Sequence, residues 1–302
     1  MLPGSEHSPV MLRQCMEVLG IKADGCYVDC TFGRGGHSAA LLAGLGPTGR
    51  LFAFDRDRDA ISSRPDLARD PRIQIQHGRF STVDSALEER GLVGKVHGIL
   101  MDLGVSSPQL DNPDRGFSFR GNGPLDMRMD QSSGATAAEW LERAPEADIR
   151  QCLWDFGEER MARRIAARIC ATRVAAPLRT TQELAALVST IVRRDHRIDP
   201  ATRTFQALRI MVNDELGELR SALARFLKLL AVGGRIVVLS FHSLEDRIVK
   251  RFFRDTAKAS ADAVSDPRFA LVFRKPLGPT EDDIALNPRA RSARLRALER
   301  ST

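Results

Sequence analysis

Over the first hundred residues, short apolar runs alternate with segments of helical period. The runs at 26–30, 51–54, 73–77 and 97–101 each predict a buried strand, the third by strict alternation of apolar and polar positions. Between them, apolar residues at 11, 12, 15, 16, 18 and 19, stopped by Gly20, predict a helix over 7–20, and a second helix runs from Asp55 to about Ala68. Strands alternating with helices are the pattern of a doubly wound α/β sheet. From about 112 the alternation stops. Residues 113–133 make a long loop rich in Gly, Pro, Asp and Arg, whose Phe117, Phe119, Met127 and Met129 argue against disorder. Thr136-x-x-Glu139 and Thr180-x-x-Glu183 are capping boxes that open helices, with an amphipathic stretch at 158–173 between them. The α/β pattern then resumes. Val212, Leu216, Leu219, Leu223, Phe226 and Leu230 predict one helix burying one face, ended by Gly233-Gly234, and 235–239 and 269–273 predict further strands. The arginine-rich 287–296 reads as an edge strand, a phosphate-binding arm, or both. The chain thus divides into 1–112, an all-helical insertion at 113–205, and 206–302.

Chemistry gathers where the predicted strands end. The first runs into Asp29-Cys30-Thr31-Phe32-Gly33-Arg34-Gly35-Gly36-His37-Ser38, three glycines in four positions before a helix. Glycine is needed where φ is positive or where backbone must lie against a ligand, and a helix N-terminus favours polar ligand groups. The second strand ends in Asp55, nineteen residues beyond Gly36, the place of a carboxylate that accepts hydrogen bonds from ribose hydroxyls. Gly-x-Gly-Gly lacks the Gly-x-Gly-x-x-Gly of a dinucleotide site, so an adenosine cofactor without phosphates, such as S-adenosyl-L-methionine, fits better than a pyrophosphate. An ordinary strand–helix turn is the bland alternative. The third strand ends in His77 and is followed by Phe80, an aromatic that could stack on adenine or simply join the core. The fourth ends in Asp102, followed by Leu103-Gly104-Val105-Ser106-Ser107-Pro108-Gln109. Four successive strands therefore point polar groups at one edge, where open α/β sheets bind ligands.

Composition adds three restrictions. At 302 residues, 43% hydrophobic and 28% charged, the chain is an ordinary globular protein with no run long enough to cross a membrane, and its first seven residues lack the basic start and apolar core of a signal peptide, which points to the cytoplasm. Five scattered cysteines give neither a disulfide framework nor a metal knuckle, and no metal is expected. Net charge is only +6, but all except six of the 45 basic residues are arginines, which bind phosphate bidentately and make a nucleic-acid partner reasonable; a GC-rich genome would produce the same bias. Arg160, Arg163, Arg164 and Arg168 recur at helical spacing, either a nucleic-acid face or a solvated one.

Seven segments in order, spread over nearly the whole chain, resemble the bacterial small-subunit ribosomal RNA cytosine-N4 methyltransferases: 31–38, Asp102-Leu103-Gly104-Val105-Ser106-Ser107-Pro108-Gln109, Arg115-Gly116-Phe117-Ser118-Phe119, 123–129, Thr202-Arg203-Thr204-Phe205-Gln206-Ala207-Leu208-Arg209, Ser240-Phe241-His242-Ser243-Leu244-Glu245-Asp246-Arg247, and Asn287-Pro288-Arg289-Ala290-Arg291-Ser292. The resemblance implies a class I S-adenosylmethionine-dependent methyltransferase, a Rossmann-like, mostly parallel seven-stranded sheet with an inserted all-helical domain for RNA recognition. It implies methyl transfer to the exocyclic amine of a single cytidine, of the C1402 type, in the decoding region of 16S rRNA within the small ribosomal subunit. Carried over position by position, it implies cofactor contacts from Gly35, Gly36, His37, Asp55, Phe80, Asp102 and Gln109. A homodimer stays open.

The cytosine amine is nucleophilic only if it is pyramidalised and gives up a proton during attack. Asp102, Ser106 and Ser107 lie in the loop where amino-methyltransferases place an Asp/Asn-Pro-Pro-aromatic motif, and carbonyl and hydroxyl groups there are expected to hold the amine in line, with Asp102 alternatively serving the cofactor's own amine. An extruded cytosine needs stacking partners; Phe117 and Phe119 are candidates, with local core as the alternative, and His242 could meet RNA or pair with Asp246. Two other classes compete: a DNA amino-methyltransferase, disfavoured by the missing Asp-Pro-Pro-Tyr loop, and a ribosome-assembly factor that has lost the chemistry, disfavoured by the intact glycine loop and Asp55.

Overall fold

A computed structural model describes residues 9–193, 199–262 and 267–302. The expected helix over 7–20 therefore has its first two residues, and the leader reading all its residues, outside the described chain. Seven strands form one sheet: β1 (Cys26–Asp29), β2 (Arg50–Asp55), β3 (Ile73–His77), β4 (Val96–Asp102), β5 (Leu230–Ser240), β6 (Phe269–Leu271) and β7 (Arg294–Arg300), in the order β3-β2-β1-β4-β5-β7-β6. The first five are parallel and β7 runs antiparallel between β5 and β6. This is the mostly parallel seven-stranded architecture expected.

Helices follow as α1 (Leu12–Leu19), α2 (Gly36–Gly44), α3 (Arg58–Ser62), α4 (Phe80–Glu88), α5 (Ser107–Asp111), α6 (Ala137–Arg143), α7 (Glu146–Gly157), α8 (Ala162–Ala175), α9 (Thr181–Ser189), α10 (Thr202–Asn213), α11 (Glu215–Phe226), α12 (Ser243–Asp262) and α13 (Glu281–Leu286). Among the described residues, no helix is long and apolar enough to cross a membrane. The chain forms two compact units, one of residues 1–104 with 216–302 and one of Val105–Glu215.

In the first unit the strands read as continuous apolar runs because both faces of the sheet are covered. Val28, Phe52, Phe54, Ile99, Met101, Ile236 and Val238 pack on one side under α4, α11 and α12, through Leu87, Leu223, Phe226 and Phe253. The intervening Tyr27, Leu51, Ala53, Leu100, Val237 and Leu239 pack on the other with Met11, Cys15 and Leu41 from the α1 and α2 side. The sheet's period of two thus sorts the residues into two cores.

Four expectations are corrected here. The helix after Asp55 is only α3 and a 3₁₀ turn at Leu67–Arg69. The heptad-like pattern from Val212 spans two helices, because Asp214 adopts a left-handed φ of 48° that ends α10 before α11 starts. Gly233-Gly234 does not stop a helix; it lies inside β5, where Gly233 has φ 74° and the register against β4 shifts between Val96 and Gly98. A Cβ on Gly234 would sit 2.6 Å from the Val96 carbonyl oxygen, so the bulge needs glycine there. Finally, β7 is an interior strand, and β6 takes the edge.

The second unit is all-helical, built on Leu141, Ile149, Leu153, Ile165, Ile169, Leu184, Val188 and Leu208. Thr136 and Thr180 do cap α6 and α9, each through a reciprocal pair with Glu139 or Glu183. Its long loop is tied down by two buried side chains. Arg115 donates to the carbonyls of Arg128 and Met129, and Asn213 donates to Met127 O at 2.7 Å while accepting from the Met129 amide at 2.8 Å.

Candidate active site at the carboxyl edge of the sheet

β1 does not stop cleanly at Asp29. The Cys30 amide bonds to Leu100 O and the Phe32 amide to Phe54 O, so the chain is held to both neighbouring strands as it enters the glycine turn. Asp29 is fully buried, accepting from the Thr31 amide at 3.0 Å and from the Ser38 hydroxyl of α2 at 2.6 Å. Burial holds its pKa above the ordinary carboxylate range despite those donors. Thr31 Oγ in turn accepts from the Asp102 amide at 2.8 Å, lacing the end of β4 to the turn.

Three glycines are demanded for different reasons. Gly33 at φ 53° aims its amide at Asp55 Oδ2, 2.8 Å away. Gly35 at φ 67° is the left-handed residue that opens α2. Gly36 has ordinary φ, but a Cβ on it would lie 2.2 Å from the Pro9 ring. The next residue, His37, is buried, with Nε2 3.2 Å from Val10 O and Nδ1 3.7 Å from Asp102 Oδ2. A carbonyl can only accept, so Nε2 carries the proton and Nδ1 faces the carboxylate.

Asp55 accepts from the Gly33 and Asp57 amides, one on each oxygen. Burial nevertheless pushes its pKa up to about 6, against those two donors. Each oxygen has a second lone pair for a hydroxyl. The Gly78 amide bonds to Asp55 O, which ties the end of β3 to that of β2 and places Phe80 two residues further on at the start of α4. Phe80 is half-buried and packs against the core, so one part of its ring is structural.

Asp102 is the least satisfied group of the set. Its side chain keeps a quarter of its surface open, yet Oδ1 is sealed from solvent and takes no hydrogen bond among the described residues. Burial pushes its pKa up to about 6, with the charges of Asp29 and Glu245 adding to the rise and His37 opposing it. A buried carboxylate oxygen without a donor costs about 1–3 kcal/mol, a cost that a cationic ligand group would remove.

Glu245 was not singled out by sequence reasoning, although its motif was. Its Oε2 accepts from the amides of Phe241 and His242, just past β5, while the Glu245 amide donates to His242 Nδ1 at 3.4 Å. This is a capping box with histidine in the cap position. His242 Nε2 is 3.1 Å from Glu245 Oε1, out of hydrogen-bond alignment. Of the two readings of His242, the pair with Asp246 is not formed: Asp246 is taken by Arg296, at 2.7 and 3.2 Å, and by Arg294 at 3.2 Å. Thr31 was missed as well, since a threonine after a strand-ending aspartate carries no signal until its partner amide is known.

The remaining site residues lie in the second unit. Ser106 caps α5, and its amide donates to Gln109 Oε1 at 2.9 Å, so both residues serve the helix start; Ser107 is half-buried at the first helical position. Phe117 is 5% exposed with the Arg115 guanidinium 5.9 Å from its ring centre, and Phe119 packs edge-on against Phe205 at 5.0 Å. Phe117 therefore belongs to the unit's core, and Phe119 is partly buried against it. Arg160, Arg163, Arg164 and Arg168 are all exposed. The five cysteines are unpaired, four of them buried.

The model of a methylase family, the MraW methylases, matches residues 4–301 of the chain. A Methylococcus capsulatus protein named ribosomal RNA small subunit methyltransferase H is 53% identical over 299 residues, covering 96% of this chain and 99% of that protein. Proteins of the same name from Chromobacterium violaceum and Coxiella burnetii are 51% and 50% identical, covering 99% and 97% of this chain and 96% and 98% of those proteins.

Proposed function

The chain belongs to the MraW methylase family, and from that premise we propose that it transfers a methyl group from S-adenosyl-L-methionine to the N4 amine of a cytidine, of the C1402 type, in 16S rRNA of the small ribosomal subunit. The names of its relatives support the substrate class, and the carboxyl edge of the sheet supports the cofactor. The observation that carries the reading is the contrast between Asp55 and Asp102 on either side of the glycine turn. Asp55 is held in place by two amides and offers acceptor positions to a pair of ribose hydroxyls. Asp102 has a sealed, unpartnered oxygen that suits an ammonium group. An adenosine bearing an amino acid supplies both, and a dinucleotide supplies only the first. Phe80, Gly35, Gly36 and His37 complete the proposed cofactor contacts.

The sulfonium methyl is the electrophile the bound cofactor supplies. The chain's own task is to orient the amine and to accept its proton. Asp102, whose open oxygen goes to the cofactor's ammonium in this reading, has its backbone fixed by Thr31 and so anchors the start of the loop that meets the amine. Ser106 and Ser107, four and five residues further along, are proposed to hold the amine by hydroxyl and carbonyl groups. The Val105–Glu215 unit is proposed to recognise RNA, through the exposed arginines of α8 and the turn before it. The cytoplasm is the proposed place of the reaction.

The test is incubation of the protein and labelled S-adenosylmethionine with free rRNA, with small subunits and with duplex DNA, all from a strain lacking the modification, then digestion to nucleosides. Label in N4-methylcytidine from small subunits or rRNA is expected. Label in DNA alone, or none anywhere, contradicts the reading.

A further inference from the structure

Helix α12 leaves the carboxyl edge carrying a row of charge that the cofactor site does not use. From Arg247 to Lys258 the sequence has five cations, Arg247, Lys250, Arg251, Arg254 and Lys258, and one acid, Asp255. At 3.6 residues per turn the cations fall within about 100° of the helix circumference, and a rise of 1.5 Å per residue spreads them over about 16 Å. All five are exposed. The opposite face carries Val249 and Phe253, both buried, with Ile248, Phe252 and Ala257 packed against the same core. The row therefore stands on a fixed base.

Its signs set it apart from an ordinary solvated face. Exposed helix faces are laced by opposite charges three or four positions apart, as Arg13 and Glu17 are on α1 at 3.5 Å. In α12 those spacings join like charges: Arg247 with Lys250 and Arg251, and Arg254 with Lys250, Arg251 and Lys258. Like charges so placed destabilise a helix. The acids of the first turn are buried and engaged, Glu245 on the amides of Phe241 and His242, and Asp246 on Arg294 and Arg296. Asp255 lies at the margin of the row and is bonded by Arg254 at 2.8 Å, both side chains being more than half exposed, where water screens a pair of this kind. The next acid, Asp262, ends the helix one turn beyond Lys258. Arg247 and Arg254 each have a partner within the chain, so the argument turns on Lys250, Arg251 and Lys258. A GC-rich genome favours arginine, yet two of the chain's six lysines stand in this row.

Topology aims the row at the site. β5 and β6 both run antiparallel to β7, so they are parallel to each other, and α12, which joins them, returns from the carboxyl edge towards the amino edge. Its first residue, Ser243, lies three positions beyond the end of β5, and near that end Leu239 O accepts from the Leu103 amide, next to Asp102. The row thus begins about one turn from the edge that carries Asp102 and runs along the flank of the sheet.

We propose that the row centred on Lys250, Arg251 and Lys258 is a track for the RNA phosphate backbone beside the target nucleotide, so that the catalytic unit itself grips the strand whose base it methylates. The proposal rests on the rRNA reading above and adds where this unit holds the strand. A polyanion laid along the row turns its internal repulsion into attraction. Phosphate contacts position a strand without reading its sequence, so the track serves affinity and register, and the choice of base is made elsewhere.

The experiment compares the wild-type chain with K250A/R251A/K258A and with K22A/R69A/K95A, which removes the same charge from exposed positions ahead of β1, β3 and β4, at the opposite edge of the sheet. Binding to a single-stranded fragment of 16S rRNA around the target is measured from about 50 to 200 mM salt, alongside affinity for S-adenosylhomocysteine, thermal unfolding at low salt and the kinetics on small subunits. The α12 variant is expected to flatten the slope of log K against log salt by about 2, since each single-strand phosphate contact contributes about 0.7, while the amino-edge variant stays near the wild-type slope. Its cofactor affinity is expected to stay at the wild-type value, its melting temperature to hold or rise, and its KM to rise with little change in kcat. An unchanged slope in an α12 variant that still binds cofactor, or an equal flattening in both variants, overturns the track and leaves the rRNA reading standing. A wild-type chain that methylates DNA and no RNA overturns both.

Discussion

Asp102 and Asp126 are both aspartates with little exposed surface, one in each unit, and the protein treats them oppositely. Asp126 is opposed by burial but receives the Arg128 guanidinium on both oxygens, at 2.7 and 2.9 Å, and the Arg128 amide, and its pKa falls below the ordinary value. Asp102 has no guanidinium among the described residues, only His37 at 3.7 Å, and burial raises its pKa to about 6. A carboxylate supplied with its partner by the chain holds structure together. One left short at a strand end costs stability in the unliganded protein, and the cost is recovered when a ligand brings the missing donor.

The largest effect is expected where the helical unit's loop is tightest. A Cβ at Gly123 would lie 1.9 Å from Pro113 O, backbone against backbone, so Gly123→Ala should lower unfolding free energy by about 3 kcal/mol in a urea titration. Next come the two aspartates themselves. Asp126→Asn strands Arg128 and should cost about 2 kcal/mol, discounted from a fully buried pair because the site is only partly sealed. Asp102→Asn removes a charge that burial disfavours, so its unliganded melting temperature should equal or exceed that of the wild type. Opposite signs sharpen the comparison; equal losses would break it.

Acidity separates the two groups in the same way. Asp55 and Asp102, at about 6 when folded, take up protons on folding, so their contribution to stability grows as pH falls from about 7 towards 4. Asp126, depressed, contributes stability that is present above its unfolded pKa of about 4 and is lost as pH falls through its folded value. Cofactor affinity, which needs both edge carboxylates ionised, should rise with pH through about 6 and then level, as calorimetry at successive pH values would show. The smallest effect expected is that of Thr31→Val, which leaves the Asp102 amide without its acceptor and should cost about 1 kcal/mol, together with a loosening of Asp102 visible as a lower kcat.

The sheet was legible because its physics is local. Runs such as Leu51-Phe52-Ala53-Phe54 bounded by glycine turns have few other readings, and a glycine loop followed by Asp55 at the right distance marks a nucleoside edge before any coordinates exist. What sequence could not show depends on partners distant in the chain. The helix over 212–230 was drawn unbroken because its apolar spacing continues through Asp214, and only the left-handed backbone there separates α10 from α11. Phe117 and Phe119 were open between base stacking and local core; the buried Arg115 and Asn213, whose partners lie up to 86 positions away, hold the loop in which Phe117 is buried and Phe119 packs, partly exposed, against Phe205. Arg294 and Arg296 read as one basic run, yet the alternation of β7 buries the second against Asp246 and exposes more of the first.

The account's central claim is that Asp102 is left unsatisfied for the sake of a ligand. Calorimetric titration of Asp102→Asn with S-adenosylhomocysteine at pH 7.5, beside the thermal unfolding of the same unliganded protein, tests it most directly. The prediction is a ten- to hundredfold loss of affinity, about 1.4–3 kcal/mol for a charge-assisted contact, in a protein at least as stable as the wild type. Undiminished affinity, or an unliganded variant that melts well below the wild type, would contradict it.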